Sequence, residues 1–420
     1  MTWAAPAVDG LIDHLFRHQA GQMVAMLTRI FGAEHLPLAE EVVQESLLSA
    51  LTLWSFHGVP ENPGGWLFRV ARNKALDQLR RQASLKEKEP QIAAALRFAA
   101  VDDDEPHFAH ELRDDTLQMM LMCCHPAIPE ESRIALTLKT VGGFSVEEIA
   151  RAFLTQKSTI AQRLVRAKRL IREQGIVMEI PPREELPSRL ESLLKVLYLM
   201  FNEGYSAHEG DALVRGDLCT EAIRLCTLLV EHPATVSPSA HALLALMLLQ
   251  SARLRARVDA AGELAILAEQ DRSLWDGPAI LRGMRELDAS AAGERLTPYH
   301  VEAALAACHA VAPSFEETDW PRIVSLYDDL LAMQPSPVVA LNRAVAVAMV
   351  QGPAAGIEAI ESMAAADSLR DYPLLSSTLG ELFLRDGDRE KAAEHFARAL
   401  ELPSTMPEKR FLLRKLESCR

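Results

Sequence analysis

The chain has few aromatic residues, few cysteines and no long apolar run. Phe, Trp and Tyr make up 5% of its 420 residues, and the alternation of apolar and polar residues typical of β-strands is almost absent. An all-α protein is therefore predicted, with enough residues for two to four domains. The apolar stretch from Ala242 to Leu249 is too short to cross a bilayer, which argues against a membrane-spanning segment.

The cysteines show no spacing typical of a metal site; the six positions are Cys123, Cys124, Cys219, Cys226, Cys308 and Cys419. The adjacent pair Cys123-Cys124 is poorly placed for a disulfide, so reduced thiols are expected. His125 follows that pair, but a second pair of ligands at a suitable distance is missing. We therefore expect no metal and no cofactor. The first ten residues lack a basic region followed by an apolar core, which favours a cytoplasmic protein.

Charge is distributed unevenly along the chain, whose net charge is −14. Residues 1–180 hold 20 Lys or Arg and 23 Asp or Glu, whereas residues 181–420 hold 24 and 35. The first part is nearly balanced and the second is strongly acidic. This distribution favours a front half that handles nucleic acid and an acidic half that does not touch DNA.

Residues 145–172 are predicted to form two short helices separated by a tight turn. Ser145 and Glu148 have the spacing of a capping box, so the first helix is expected to begin at Val146. Residues 154–156 supply the turn. In the second helix, a rotation of 100° per residue separates a polar side from an apolar side, which carries Ile160, Leu164, Ala167 and Ile171.

The polar side of this second helix predicts DNA binding. It carries hydroxyls, an amide and arginines, at Ser158, Thr159, Gln162, Arg166 and Arg169, with Arg163, Lys168 and Arg172 at its flanks. From Arg151 to Arg172 there are seven Lys or Arg and no Asp or Glu. Amides and guanidiniums read base edges in the major groove, and cations bind phosphates. A basic helix that only faces solvent is the alternative, and the capping box and preceding helix argue against it.

A second surface suited to nucleic acid lies on a helix predicted from Pro63 to Arg81, with Asn62 as its cap. One side of this helix carries an indole, an amide and charges, at Trp66, Arg69, Asn73, Asp77 and Arg80, with Arg72 at its flank. An aromatic ring stacks on an unpaired base while arginines hold phosphates, so this side fits single-stranded nucleic acid. A tryptophan beside glycines at a helix start is also typical of an anchor into the core, and both interpretations stay open.

A further helix is predicted to begin at residues 38–45 and to end near Trp54, and acidic residues cluster at its start. The helix macrodipole stabilises carboxylates such as Glu40, Glu41 and Glu45 at the amino end of a helix. A surface that docks a partner protein is the other interpretation. The residues alone do not decide between them.

Three segments together resemble sigma-70 family factors of the extracytoplasmic function (ECF) group: AEEVVQES, NPGGWLFRVARNKALDQLRR and TIAQRLVRAKRLIR. Further segments are similar to the subgroup often called ECF42, which has a long C-terminal extension of tetratricopeptide-like helices; they include MCCHPAIPEESRIALTLKTVGGFS, VLYLMFNEGY and PSPVVALNRAVAVA. The resemblance spans nearly the whole chain. It implies a transcription-initiation factor that directs the RNA polymerase core enzyme to promoter DNA and is not itself an enzyme.

The resemblance also implies a domain order. A sigma region 2 helical bundle would occupy residues 8–83, a flexible linker residues 84–112, and a region 4 helix-turn-helix domain residues 113–178. An α-helical domain of tetratricopeptide-like repeats would follow at residues 187–420.

The resemblance assigns roles to particular residues. The polymerase would contact Glu40, Glu41, Gln44 and Glu45. The opened −10 element would contact Trp66, Arg69, Arg72, Asn73, Asp77, Arg80 and Arg81. The −35 element would contact Lys157, Ser158, Thr159, Gln162, Arg163, Arg166 and Arg169. Ala161 stands where many relatives carry a basic residue, so no base preference is transferred.

The repeat signal in the acidic half is clearest between Pro373 and Pro403. Small and aromatic residues fall at tetratricopeptide offsets, at Leu379, Gly380, Phe383, Ala392, Phe396 and Ala399, with Gly387 in the turn between two helices. Stacked helix pairs of this kind build a concave surface suited to a peptide or a regulatory protein.

Two polar clusters in the same half, at residues 208–211 and 269–276, have neither metal spacing nor a nucleophile motif. We therefore expect a structural or ligand-sensing role and no catalysis there.

The function predicted is that of a sigma factor whose C-terminal half regulates the first two domains in cis. Truncation near residue 180 is expected to alter promoter output. One alternative is a helix-turn-helix transcriptional regulator with a helical ligand-binding domain, which leaves Trp66 and the Glu40 helix without a role. Another is an enzyme or scaffold in which the basic helix is incidental.

Overall fold

The computed structural model of the chain describes residues 19–83, 108–153, 155–205, 216–257, 264–363, 369, 372–402 and 405–420. In this part of the chain the secondary structure is α-helical with short 3-10 segments and contains no β-strand. The predicted all-α fold is therefore confirmed. None of the described helices is both long and apolar enough to cross a bilayer. The chain divides into two compact units, Met1–Val196 and Leu197–Arg420.

Three helices open the N-terminal unit: α1 over residues 19–31, α2 over Leu36–His57 and α3 over Pro63–Ala83. Asn62 Oδ1 accepts a hydrogen bond from the Gly65 N–H (2.8 Å), so the predicted cap of α3 is confirmed. Apolar side chains from all three helices form a core, with full burial of Leu27, Val42, Leu47, Leu67 and Ala71.

Four further helices follow in the same unit: α4 over Phe108–Cys123, α5 over Glu130–Thr140, α6 over Val146–Ala152 and α7 over Lys157–Glu173. Their core contains the fully buried Leu117, Met120, Leu136, Ile149 and Ile160. The helices α4 and α5 thus provide the base on which α6 and α7 pack.

The two groups of helices pack directly on each other. An ideal Cβ on Gly21 of α1 would lie 2.1 Å from the carbonyl oxygen of Val141, so only glycine allows this close approach. Arg29 Nε lies 2.7 Å from Asp115 Oδ1, and the Asp115 side chain is only 3% exposed. The candidate surfaces on α2, α3 and α7 therefore belong to one compact unit.

Helix α8 spans Leu186–Tyr205 and contains the boundary between the units. The C-terminal unit continues with α9 (Gly216–Glu231), α10 (Pro238–Ser251), α11 (Gly277–Ser290), α12 (Pro298–Val311) and α13 (Trp320–Met333). It ends with α14 (Pro337–Gln351), α15 (Pro353–Glu361), α16 (Pro373–Asp386), α17 (Arg389–Leu400) and α18 (Met406–Ser418).

Helices α16 and α17 form the pair that the repeat signal predicts. Gly387 lies between them with φ of 94°, a left-handed conformation that favours glycine. An ideal Cβ on Gly380 would lie 2.8 Å from the Phe396 ring, so the missing side chain lets the two helices approach. Ala392, Phe396 and Ala399 are fully buried. The helix pair is confirmed, whereas its assignment to the tetratricopeptide family stays a prediction.

Candidate nucleic-acid interface

The two helices predicted around residue 155 are present, and a capping box fixes the start of the first. The Ser145 N–H donates to Glu148 Oε2 (2.8 Å), and the Glu148 N–H donates to Ser145 Oγ (3.1 Å). Helix α6 accordingly begins at Val146. The Thr155 N–H donates to the Ala150 carbonyl (2.9 Å), which closes the end of α6 before α7 begins at Lys157. This geometry holds α7 against the rest of the N-terminal unit.

Helix α7 has the two sides that the sequence predicts. Its buried residues are Ile160, Leu164, Ala167 and Ile171, all at most 5% exposed. Its opposite side is open to solvent at Lys157, Ser158, Gln162, Arg166, Arg169 and Arg172, and Thr159 and Arg163 are partly exposed beside them. A largely polar exposed side on a helix of 17 residues can lie along a major groove.

Several cations of α7 pair with carboxylates in the free protein. Lys157 pairs with Glu147 and Arg163 with Glu131, while Arg169 Nε lies 3.7 Å from Glu173 Oε2. The hydrogen bond from Lys157 holds the pKa of Glu147 below its ordinary value. Among the described residues, Arg166 and Arg172 form no ion pair. A polyanion can therefore bind these two without displacing a carboxylate of the described residues.

Helix α3 presents a separate polar stripe. Arg69, Asn73, Asp77 and Arg80 are exposed and follow one another at helical spacing, and Arg81 is exposed at the end of the stripe. Arg72 is partly buried at its flank. Arg80 Nη1 lies 3.8 Å from Asp77 Oδ1, so this pair is loose and solvent-screened. Most of the predicted −10 residues thus share one open surface.

Trp66 differs from the other residues predicted on α3 because it is partly buried. Its ring packs edge to face on Trp54, with 5.4 Å between ring centroids and 61° between planes. Trp54 is 3% exposed, so the pair ties the start of α3 to α2. Trp66 therefore acts at least in part as a packing anchor, which is the other interpretation of its position.

The four polar residues predicted to dock a partner on α2 point in different directions. Glu41 and Gln44 are exposed, whereas Glu45 pairs with Lys74 of α3 (2.9 Å). Helix α2 begins at Leu36 and has no acidic residue in its first turn. The interpretation as macrodipole stabilisation is therefore wrong, because the helix starts earlier than the sequence pattern predicts and the dipole effect is confined to the first turn.

Glu40 lies at the junction with α7 and is not on an open surface. One of its carboxylate oxygens pairs with Lys168 Nζ, and the other accepts a hydrogen bond from Thr140 Oγ1 (3.2 Å). The Glu40 and Lys168 side chains are only 12% and 19% exposed. Glu40, which is predicted to contact polymerase, thus pairs with Lys168, which flanks the predicted DNA-binding side of α7.

Two protein families match the part of the chain that carries these surfaces. The sigma-70 region 2 family matches residues 15–85, and the sigma-70 region 4 family matches residues 118–171. The chain is 27% identical over 158 residues to the ECF RNA polymerase sigma factor SigE of Mycolicibacterium smegmatis, covering 37% of this chain and 57% of that one. It is 28% identical over 151 residues to the ECF RNA polymerase sigma-E factor of Haemophilus influenzae, covering 34% and 77%.

The two family matches and these two relatives support an ECF-type sigma-70 factor.

The rest of the chain also has relatives. Residues 189–291 match a family of unknown function (DUF6596). An uncharacterized protein of Rhizobium meliloti is 39% identical over 414 residues, which cover 97% of this chain and 96% of that one. The C-terminal helices are therefore shared with a relative of almost the same length. These matches do not decide the subgroup or the repeat class.

Sequence reasoning missed an apolar part of the α2 surface. Leu48, Leu53 and Phe56 are 64%, 43% and 81% exposed. They lie beyond the exposed Glu41 and Gln44 on the same helix. The helical period contained the signal, since these large residues fall outside the buried set of α2. Exposed large apolar residues close together mark an interaction surface.

The adjacent cysteines lie in the buried core of the helices that match sigma-70 region 4. Cys123 and Cys124 are fully buried. Burial raises the pKa of Cys124 to about 12, and it also raises the pKa of Cys123 well above its ordinary value. Both thiols stay protonated at neutral pH, so their chemistry here is that of small apolar side chains.

Two groups of sequence predictions lie outside the described residues. They are most of the predicted linker, at residues 84–107, and the polar cluster at residues 208–211.

Proposed function

We propose that this chain is a sigma factor that binds promoter DNA and RNA polymerase through three separate surfaces. Helix α7 contacts the −35 element, α3 contacts the opened −10 strand, and α2 binds the RNA polymerase core enzyme. The factor positions the polymerase and opens DNA, while the polymerase forms the phosphodiester bonds. The observation that carries this proposal is the solvent-open polar side of α7, opposite four buried apolar residues.

The residues proposed at the −35 element are those open on α7. Gln162 and Arg166 are exposed at adjacent positions one turn apart, where an amide and a guanidinium can reach neighbouring base edges. Lys157, Ser158, Thr159, Arg163 and Arg169 complete the surface as phosphate and base contacts. Because Arg163 pairs with Glu131, DNA must displace that carboxylate to bind this arginine.

The residues proposed at the −10 element divide by their exposure. Arg69, Asn73, Asp77, Arg80 and Arg81 are exposed and can contact bases or phosphates directly. Trp66 and Arg72 are partly buried and would shape the edge of a pocket for an unstacked base. Trp66 can offer only the part of its ring that Trp54 does not cover.

The surface proposed for polymerase combines charge and apolar area. Glu41 and Gln44 are exposed on α2, and the exposed Leu48 and Phe56 extend the same helix surface. Glu45 contributes after release from Lys74, and Glu40 after release from Lys168 and Thr140. Binding through Glu40 therefore requires that the junction between α2 and α7 opens.

The C-terminal unit is proposed to modulate the factor in cis, with tetratricopeptide-like pairs that bind a regulatory protein or peptide. The α16 and α17 pair supports this assignment through the Gly380 and Phe396 contact and the left-handed Gly387. The domain limits 8–83, 84–112, 113–178 and 187–420, the ECF42 subgroup and a cytoplasmic location belong to the same proposal. The long acidic half supports a regulatory rather than a DNA-binding role.

Transcription with purified core polymerase tests the main proposal. The full chain should start synthesis from a promoter on which core polymerase alone is silent. Arg166→Ala should lower that output, whereas Val165→Ala, an exposed apolar neighbour on α7, should not. A chain that binds promoter DNA but never permits initiation would be a helix-turn-helix regulator, and the proposal would be wrong.

Removal of residues 197–420 tests the regulatory part. Promoter output or polymerase affinity should change when the C-terminal unit is absent, in either direction. Circular dichroism of the remaining unit provides the control for folding. Unchanged output and affinity would exclude regulation in cis while leaving the sigma role intact.

A further inference from the structure

Three arginines of the C-terminal unit lie near one another. They are partly buried, whereas several arginines of α7 are exposed. Arg253 follows the end of α10, Arg257 follows the 3-10 helix Leu254–Ala256, and Arg272 begins the 3-10 helix Arg272–Leu274. All three side chains are partly buried. We call Arg253, Arg257 and Arg272 the arginine cluster.

Tyr205 at the end of α8 joins two members of the cluster. The guanidinium carbon of Arg257 lies 4.2 Å from the centre of the Tyr205 ring, and that of Arg253 lies 6.0 Å from it. Arg253 Nη2 also donates to the Tyr205 hydroxyl, and Arg257 Nη1 donates to the Tyr205 carbonyl. Tyr205 stacks in turn on Phe201, with 5.8 Å between centroids. Both guanidiniums are thus held in fixed positions around one ring.

The third arginine is fixed by carbonyl groups at the end of α12. Arg272 Nη1 donates to the carbonyls of His309 (3.0 Å) and Ala312 (2.6 Å). Its guanidinium carbon lies 4.4 Å from the centre of the Trp275 ring. Arg272 Nη2 is buried and has no hydrogen-bond partner among the described residues. This nitrogen therefore keeps a free donor.

The members of the cluster lie within electrostatic range of one another. Burial lowers the pKa of Arg272, and the charge of Arg253 lowers it further. Burial also lowers the pKa of Arg257, although Tyr205 acts in the opposite direction and Arg253 in the same one. Burial, together with Arg253 and Arg272, lowers the pKa of His309 to about 4. The pKa of the His309 imidazole is thus lowered in part by the positive charges of Arg253 and Arg272.

The described residues supply no carboxylate partner to the arginine cluster. None of the three forms an ion pair within this part of the chain, although Glu316 and Glu408 are in electrostatic range. Partly buried like charges without a counter-charge are costly. His309 Nδ1 and the indole nitrogens of Trp275 and Trp320 are likewise buried without partners. Trp320 packs edge to face on His309, with 5.5 Å between centroids.

We infer that the arginine cluster is a binding site for a small oxyanion, such as the phosphate or carboxylate group of a small molecule. Guanidiniums bind such groups through paired N–H donors, and an anion there would offset the mutual repulsion of the cluster. Arg253 and Arg272 supply the charge-assisted donors. The indole N–H groups of Trp275 and Trp320 supply neutral donors beside aromatic surface.

Carboxylates of the chain itself are the competing occupants. Residues 206–215 and 258–263 adjoin Tyr205 and Arg257 in sequence and carry Glu209, Asp211, Asp259 and Glu263, all outside the described residues. If one of these filled the site, an added anion would find the arginines already neutralised. The titration below distinguishes the two cases.

Calorimetric titration of the full chain with sodium phosphate, against sodium chloride at equal ionic strength, tests the inference. Phosphate should bind at a single site, and at about 100 times its Kd it should raise the Tm of the unfolding step by about 5 °C. Arg253→Gln and Arg272→Gln should each weaken binding at least about tenfold. Arg255→Gln is the matched control, because Arg255 lies between Arg253 and Arg257 but is exposed.

A second titration with citrate separates the two classes of oxyanion. Tighter binding of citrate indicates a carboxylate ligand, and tighter binding of phosphate indicates a phosphorylated one. Absence of saturable binding by both in the wild-type chain would overturn the inference, as would equal binding by Arg253→Gln, Arg272→Gln and Arg255→Gln. Because the readout is binding to the protein alone, failure here is distinct from failure of the sigma role.

Discussion

The two basic regions of this chain carry similar residues in opposite settings. On α7, Arg166, Arg169 and Arg172 are exposed along one side of a regular helix. In the arginine cluster, three side chains from two separate segments are partly buried beside a tyrosine and a histidine. A spread of exposed cations suits an extended polyanion such as DNA, whereas convergent, partly buried guanidiniums suit one small anion.

The two regions differ in how well their charges are hydrated before any ligand binds. Solvent screens the exposed cations of α7, so they cost little in the free protein and gain from counterion release when DNA binds. The arginine cluster has lost part of its hydration already, and burial lowers the pKa of Arg257, of Arg272 and of the neighbouring His309. Binding by α7 should therefore depend strongly on salt, and binding by the cluster should depend on it less.

The largest effect is expected from removal of two exposed charges on α7. The double variant Arg166→Gln, Arg169→Gln should weaken binding to a −35 element by about 1000-fold at low salt, because each lost contact costs about 1 to 3 kcal/mol. The slope of log K against log salt should also fall by about two. Fluorescence anisotropy over a series of salt concentrations measures both quantities.

Val165→Ala is the control for this double variant, since Val165 is 66% exposed on the same helix and is not a proposed contact. If the double variant bound promoter DNA with the affinity and salt slope of the wild type, α7 would not be the DNA surface.

The next largest effect concerns acid sensitivity in the C-terminal unit. The pKa of His309 is about 4 in the folded chain and about 6.5 when unfolded, so the folded state binds fewer protons between these values. Stability from this group is complete above pH 6.5 and is lost as pH falls towards 4. For a partly buried ring the loss is about 2 kcal/mol, and His309→Gln should remove it.

Urea unfolding at several pH values measures this difference, with the exposed His57→Gln as control. Glu302 acts in the opposite direction, because burial raises its pKa to about 7 and its contribution is lost as pH rises. Comparison of variant with wild type cancels that contribution. Bound phosphate should raise the pKa of His309 and reduce the effect. No change in the acid sensitivity of His309→Gln would mean that neither burial nor the arginines lower the pKa of this ring.

The sequence predicted the α7 surface well and the arginine cluster hardly at all. The period of a helix and a capping box are local patterns, so Ile160, Leu164, Ala167 and Ile171 could be assigned to the core from spacing alone. Arg253 and Arg272 are 19 positions apart and meet only after folding. The sequence placed Arg272 in a polar cluster but contained no signal for its neighbours.

The same contrast applies to α2. Its acids stand together in sequence, but rotation along the helix sends Glu40 towards Lys168, Glu45 towards Lys74 and Glu41 towards solvent. Spacing gives these directions once the helix start is known. The partners themselves come from packing between helices, which one sequence does not reveal.

Lys168 sharpens the comparison because it is the most buried cation of α7 and, unlike the arginines of the cluster, is paired with a carboxylate. Lys168→Met leaves Glu40 with only Thr140 as a described partner, and should destabilise the N-terminal unit by about 1.5 kcal/mol. Arg172→Met, at an exposed position without an ion pair among the described residues, should change stability by less than about 0.5 kcal/mol. Urea unfolding compares the two.

If Glu40 also contacts polymerase, Lys168→Met should release it and raise the affinity for core enzyme. Equal stability of the two methionine variants would show that the junction between α2 and α7 contributes nothing in solution.

The smallest effect should come from the cap that holds α6, and it separates the two basic regions most cleanly. Ser145→Ala removes the acceptor of the Glu148 N–H and should cost about 1 kcal/mol. Helix α6 has only seven residues and packs against α7, so a loosened start should weaken DNA binding a few fold by misplacing the contact surface.

Ser158→Ala is the control for stability, since that exposed hydroxyl makes only a 3.5 Å contact with Gln156. Phosphate binding at the arginine cluster should be the same in both variants, because its donors come from the segment between α10 and α11 and from Trp320 of α13. A change in phosphate affinity on loss of the Ser145 cap would show that the exposed and the convergent arginines do not act independently.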